Sequence, residues 1–128
     1  MSLEDAKAED RVYFPGGGMR EPSTGKPRFE LLVPKGCPFE KQMLTRLALH
    51  MAYGAEKYED RNWEQFQDPA ALARAEESAF RHFMQWLTGH EEYENGRKVD
   101  HAAALIFNII AAEEIKRKLS EQEDRSSE

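Results

Sequence analysis

Between positions 57 and 63 the chain gathers two cations, a phenol, an amide and an indole: Lys57, Tyr58, Arg61, Asn62 and Trp63. These residue types in so short a span suit an anionic ligand that carries a flat ring. The cations can face phosphates, Asn62 can hydrogen-bond a base edge or sugar, and Trp63 can stack. The plainer reading is a helix C-terminus whose cations satisfy its last carbonyls, with a Trp folded onto the core. Further groups lie on either side. Glu77 and Arg81 are four apart, as are Ser78 and His82, so both pairs occupy neighbouring stripes of one helix. Taken alone they are a solvated ion pair and a structural histidine. Upstream, Arg20, Lys26 and Arg28 sit in a glycine-rich arm that can close over phosphates, or is simply flexible and pinned by Phe29, Leu31 and Leu32. Gly16, Gly17 and Gly18 do not make a Walker-type phosphate loop, because no GKS or GKT follows and no strand leads in.

Three helices must position these groups. The first is expected over about 38–58, with Pro38 in its first turn and an apolar stripe of Leu44, Leu47, Ala48, Met51, Ala52 and Ala55. His50 lies off that stripe and reads as a surface residue. The second spans about 68–88, capped by Asp68, with Pro69 in its first turn and Gly89 free to turn left-handed past its end. Leu72, Ala75, Ala79, Phe83, Trp86 and Leu87 fall on its expected buried side. The third spans about 99–119 and is apolar nearly all round from Ala102 to Ala112, apart from Asn108. A helix apolar on several faces must be buried on several faces, so a second copy of the chain is expected to help cover it. Asn108 stands two turns after His101, and its amide either bridges helices or reaches a ligand. Residues 1–33 read as a loop-rich arm without strands, 34–119 as one helical domain, and 120–128 as a flexible acidic tail. The fold class is all-α: a bundle of three long helices completed by oligomerisation.

Composition narrows the function classes. A chain of 128 residues is one domain with room for a core. A net charge of -6 argues against a surface built for duplex nucleic acid or a membrane, yet leaves room for a local cationic pocket. The single cysteine, Cys37, excludes an internal disulfide and a Cys-based zinc site, and fits a reducing compartment. No apolar run reaches membrane-spanning length, and Met1 to Lys7 lack a signal peptide's apolar core, so a cytoplasmic location is expected.

The order Gly18-Met19-Arg20, Gly25-Lys26-Pro27-Arg28-Phe29-Glu30-Leu31-Leu32, Gly54-Ala55-x-Lys57-Tyr58-x-x-Arg61-Asn62-Trp63, Ser78-Ala79-x-Arg81-His82, Gly89 and Asp100-His101-x-Ala103-Ala104-x-x-x-Asn108 resembles the phage-associated dATP/dGTP diphosphohydrolase family. The likeness covers roughly residues 16 to 112. That family looks like a branch of the all-α nucleotide pyrophosphohydrolases, the MazG-like and dimeric dUTPase-like enzymes. The run from Trp63 through Phe66 and Pro69 to Leu72, with Gln85-Trp86 later, is similar to their tryptophan-to-proline segment.

The resemblance implies a Mg²⁺-dependent (Mn²⁺ in its place) pyrophosphohydrolase of small nucleotides, with purine dNTPs the expected substrates. The all-α enzymes hold their metal with Glu-x-x-Glu on one helix and Glu-x-x-Asp on the next. Here Glu76 and Glu77 are followed three residues on by Ala79 and Phe80, and the second pair is reduced to Arg97-x-x-Asp100. The resemblance makes Glu77 and Asp100 the first-choice metal ligands, with Glu91 a third. Lys57, Arg61 and Arg81 then steady phosphates, assisted by Lys26 and Arg28. Asn62 and Trp63 hold the nucleoside, Asn108 is a further substrate-binding candidate, and His82 and His101 act as general acid–base groups or orient the ligands. A non-catalytic nucleotide-binding protein, a sensor or sponge, explains the thinned carboxylates as well. A purely structural helical oligomer is a third reading, and it leaves the Lys57–Trp63 cluster unexplained.

Overall fold

A computed structural model describes residues 11–22 and 25–127, so the Met1–Lys7 segment lies outside the described residues. The chain divides into two units, the first ending at Pro34 and the second starting at Lys35. In the first, β1 (Val12–Tyr13) pairs antiparallel with β2 (Met19–Arg20). The expected strand-free arm therefore holds a small hairpin. Gly17 and Gly18 make its turn possible, both at positive φ where a side chain would be strained. A 3₁₀ turn follows at Phe29–Leu32.

The second unit is all-α apart from one short hairpin. Its helices are α1 (Met43–Lys57), α2 (Pro69–Leu87) and α3 (His101–Ser126). β3 (Tyr93–Glu94) and β4 (Arg97–Lys98) form the hairpin between α2 and α3, turning through Asn95 and Gly96, both at positive φ. Pro38 does not open α1. It precedes a separate 3₁₀ turn, Phe39–Lys41, and extended Gln42 then starts the helix. α2 begins and ends as its signals dictate. The Asp68 side chain accepts the Ala71 N–H at 2.8 Å. At the other end the His90 N–H reaches the Gln85 carbonyl at 2.9 Å across left-handed Gly89, the paired closure of a Schellman end. α3 continues to Ser126, through the segment expected to fray.

The core is narrow. α2 and α1 both pack on α3, α2 the more extensively. The buried apolar residues are Ala75, Ala103, Ala104, Ala111, Ala112 and Ile115, and Ile115 is the one large side chain fully buried among the described residues. It is 1 % exposed, with Ala75, Ala112, Ala71, Leu72 and Leu119 around it. Small residues let the two backbones approach closely, which leaves larger ones on the flanks. Phe83, Trp86 and Leu87, expected inside, are exposed, Trp86 by 52 % and Leu87 by 61 %. With Phe80 and Met84 they extend α2's apolar surface well beyond the stripe that α3 covers. α1 buries half of the stripe read in sequence, Leu47, Met51 and Ala55, and turns it toward Arg46 and His50. Met43, Arg46, Leu47, His50, Met51 and Gly54 are half-buried, whereas Leu44, Ala48 and Ala52 are exposed. His50 is thus an inward residue, its ring 5.5 Å from that of Phe107. Among the described residues no helix is long and apolar enough to cross a membrane.

Because one side chain fills the α2–α3 contact, Ile115→Ala should cost about 2–5 kcal/mol in chemical denaturation. Ile109→Ala, at a half-exposed position of the same helix, should cost much less.

Candidate functional site

The end of α1 turns outward because its cap, Tyr58, leaves helical geometry, and Arg61 then takes a left-handed conformation. That reversal starts a 3₁₀ turn, Asn62–Gln65, which is fastened to α3 twice. Lys118 Nζ donates to the Glu64 carbonyl, and the Trp63 ring meets Phe107 edge-on at 5.9 Å between centroids. Lys57, Tyr58, Arg61, Asn62 and Trp63 consequently line one cavity of about 1030 Å³. Arg46, His50 and Tyr53 of α1, the β3–β4 hairpin, Asp100 and Phe107 complete it. Gly54 also lies on this wall, and a methyl group there would meet nothing within 4 Å. The volume accommodates a nucleotide-sized ligand.

Arg46, His50, Tyr53 and Lys57 were not singled out together by the apolar reading of α1. They recur at helical spacing, a mostly polar stripe that a search for charged rather than apolar periodicity finds. Arg97 was missed for a different reason. Its guanidinium lies 3.8 Å from the centre of the Tyr53 ring, a contact that exists only once the hairpin folds back on α1.

Every cation on the cavity wall has a carboxylate partner. Lys57 bonds Glu94 at 2.8 Å, Arg61 bonds Glu64 at 2.6 Å, Arg97 bonds Glu56 at 3.0 Å and Lys98 bonds Glu91 at 3.2 Å. These pairs are largely exposed, so each stabilises the fold by little and is readily exchanged for another anion. The fifth differs. Arg46 grips both oxygens of Asp100 at 2.7 Å, while the same carboxylate caps α3 by accepting the Ala103 N–H at 3.1 Å. The Arg46 guanidinium holds the Asp100 carboxyl below its ordinary range, with burial opposing and the Ala103 bond assisting. In turn Asp100 raises Arg46.

A smaller cavity of about 410 Å³ adjoins the same pair, lined by Arg46 and Asp100 together with Gln85, His90, Glu91, Lys98 and His101. His101 is nearly buried, and its Nδ1 faces His82 Nδ1 at 3.0 Å. Burial pushes His82 down from the ordinary histidine value, with His101 and Arg81 adding to the effect. Burial also lowers His50, against the pull of Asp100.

The candidates thus separate. Lys57, Arg61, Asn62, Trp63 and Asp100 share the large cavity, and Glu91, Asp100 and His101 share the small one. Glu77, Arg81, His82 and Asn108 line neither. Glu77 is exposed on α2, 3.1 Å from Arg74 and 3.9 Å from Arg81. Asn108 neither bridges helices nor needs a ligand for its amide nitrogen, which donates to the Ala104 carbonyl of its own helix at 2.8 Å. Lys26 and Arg28 belong to the first unit, where Arg28 pairs with Glu30 at 2.7 Å. Among the described residues no three His, Cys, Asp or Glu side chains converge as a metal site, so Glu77, Glu91 and Asp100 do not form one cage.

The Arg46–Asp100 geometry makes the carboxylate structural whatever else it does. Its depressed acidity means stability that is fully present above the unfolded value, about 3.9, and lost as pH falls through the lower folded value. Asp100→Asn keeps a capping residue but loses the charge. Its melting midpoint should lie below wild type at pH 7, and the gap should close as pH falls below the lowered folded value. Thermal melts across that range check this.

Residues 17–125 match the family model described as dATP/dGTP diphosphohydrolase, N-terminal. No significant match is found among curated proteins or among solved structures. The matched span includes both cavities and all three helices nearly to the end of α3, and the chain therefore belongs to the dATP/dGTP diphosphohydrolase family, a family of nucleotide-hydrolysing enzymes.

Proposed function

We propose that the chain is a Mg²⁺-dependent pyrophosphohydrolase of deoxynucleoside triphosphates, purine dNTPs above all, with the 1030 Å³ cavity as its nucleotide site. The observation that carries this reading is the convergence of Trp63, Asn62, Lys57 and Arg61 on one cavity wall. Trp63 offers its face to the base and Asn62 its amide to a base edge or the sugar. Lys57, Arg61 and Arg97 leave their exposed carboxylates for the phosphates at small cost, since a triphosphate carries more charge than any one Glu. The lining carboxylates suit a metal that arrives already bound to phosphate oxygens. Mg²⁺ needs only one or two protein carboxylates in that case and keeps its waters, and Mn²⁺ can take its place. Asp100 is the one of the three candidate ligands that faces the large cavity. When bound, the ion supplies charge neutralisation on the phosphates and an activated water.

A homo-oligomer belongs to the same proposal. Phe80, Phe83, Met84 and Leu87 recur at i, i+3, i+4 and i+7 on α2, and Phe80 is 67 % exposed. A second copy of the chain is the occupant that would cover this stripe, together with Ile109 and Ile110 of α3. Light scattering at micromolar concentration should give at least twice the 14.8 kDa chain mass, and Phe80→Glu with Met84→Glu should return it to a monomer.

The decisive assay mixes the purified chain with a dNTP panel and Mg²⁺ and follows both products and binding. Turnover is expected. Binding without turnover would instead support a nucleotide sensor or sponge, and neither would leave a structural oligomer. Stacking contributes on the order of 1–3 kcal/mol per base, so Trp63→Ala should weaken dNTP affinity about ten- to a hundredfold and spare inorganic triphosphate. Equal losses for both ligands, or a collapsed melt, would end the stacking role.

A further inference from the structure

Three flat rings from three separate elements meet on the wall of the large cavity: His50 of α1, Trp63 of the 3₁₀ turn and Phe107 of α3. Phe107 is the common member. Its ring lies 5.5 Å from that of His50, inclined by 51°, and 5.9 Å from that of Trp63, inclined by 83°. The second geometry is the edge-to-face arrangement that aromatic quadrupoles favour, the positive edge of one ring against the negative face of the other. It is directional, so an indole that turns about its side-chain bonds loses it.

The turn that carries Trp63 has two fastenings to α3, and they act on different parts of it. Lys118 Nζ donates to the Glu64 carbonyl and therefore holds main chain. That bond fixes where the turn runs and leaves the indole free to rotate. The Phe107 contact holds the side chain itself. Phe107 is well placed to do so, because it stands on a deeply buried stretch of α3. Ala103 and Ala104, one turn before it, and Ala111, one turn after, are at most 2 % exposed. It is also the one benzene ring in α3. An aliphatic residue there would fill similar volume without offering an edge or a face to the indole.

We propose that Phe107 is the positioning residue of the nucleoside subsite: it holds the Trp63 ring edge-to-face, so that the indole waits in one orientation for the base, and it acts on the base through Trp63. Preorganisation of this kind raises affinity by removing the cost of ordering a mobile indole when the ligand arrives. The phosphate end of the ligand, at Lys57 and Arg61, does not depend on it. The consequence for affinity rests on the nucleotide-site reading above, whereas the ring packing does not.

The packing can be read without any ligand. The chain has two tryptophans, so a Trp86→Phe parent leaves Trp63 alone, and its fluorescence anisotropy decay reports rotation of the indole. A restrained indole is expected in the parent. Fast rotation should appear in Phe107→Leu, which keeps apolar bulk, and be suppressed again in Phe107→Tyr, which keeps the ring. Equal decays in the parent and Phe107→Leu overturn the proposal. So does an indole that already rotates freely in the parent, the measurement that decides if the leucine variant does not fold. Titration with α,β-methylene-dATP and with inorganic triphosphate tests the consequence. Phe107→Leu should weaken the nucleotide about three- to tenfold and the triphosphate less than about twofold. In a Trp63→Ala background the same change should cost the nucleotide nothing further, and additive losses overturn the proposal. A parent with a restrained indole that binds no nucleotide refutes the nucleotide-site reading and leaves the Phe107 contact standing.

Discussion

One contact ties the helical unit together: the grip of Arg46 on Asp100. The guanidinium comes from the first turn of α1 and the carboxylate from the N-cap of α3, so a single pair joins elements 54 positions apart. It also spends both carboxylate oxygens, one of which caps the helix as well. Two parallel charge-assisted bonds are directional as well as strong, and they fix the angle at which α1 leaves α3. With Lys98 and Val99, this pair forms the wall that the two cavities share. Any role for Asp100 toward a metal competes with Arg46 for the same oxygens.

Packing on α3 follows a second constraint, the size of the residues at the contact. Alanines at 103, 104, 111 and 112 admit close approach, and Ile115 fills the space they leave beside Ala75. Close approach over a narrow stripe buries little large apolar surface. The residues that would ordinarily build a core, Phe80, Met84, Trp86 and Leu87, stay outside. An apolar α2 flank of this kind is the surface that the proposed homo-oligomer would cover.

Electrostatics at the large cavity are balanced rather than cationic. Lys57, Arg61, Arg97 and Lys98 rest on Glu94, Glu64, Glu56 and Glu91, which keeps an acidic chain from repelling itself and keeps the cations in place without a ligand. Weak, exposed pairs are suited to exchange. In the proposed function, a polyanion entering the cavity would meet cations already positioned, and would release carboxylates for a divalent ion that accompanies it.

Local chemistry settled what the sequence could settle. Asp68, Pro69 and Gly89 set the ends of α2 because capping and left-handed closure involve only neighbours in the chain. The Lys57–Trp63 cluster was legible for the same reason, being contiguous, and the ordered motifs from Gly18 to Asn108 sufficed for the family. Tertiary structure alone decided which face of each helix is inward. α1 turns Arg46 and His50 inward beside Leu47 and Met51, and leaves Leu44 and Ala48 exposed, with Arg46 held by Asp100 at the start of α3. Asn108 donates to the Ala104 carbonyl of its own helix rather than bridging to another element. The His82–His101 contact and the cation over Tyr53 are distances between residues far apart in the chain and on different elements. No periodicity along a chain encodes them; they exist only when α2, the hairpin and α3 are brought together.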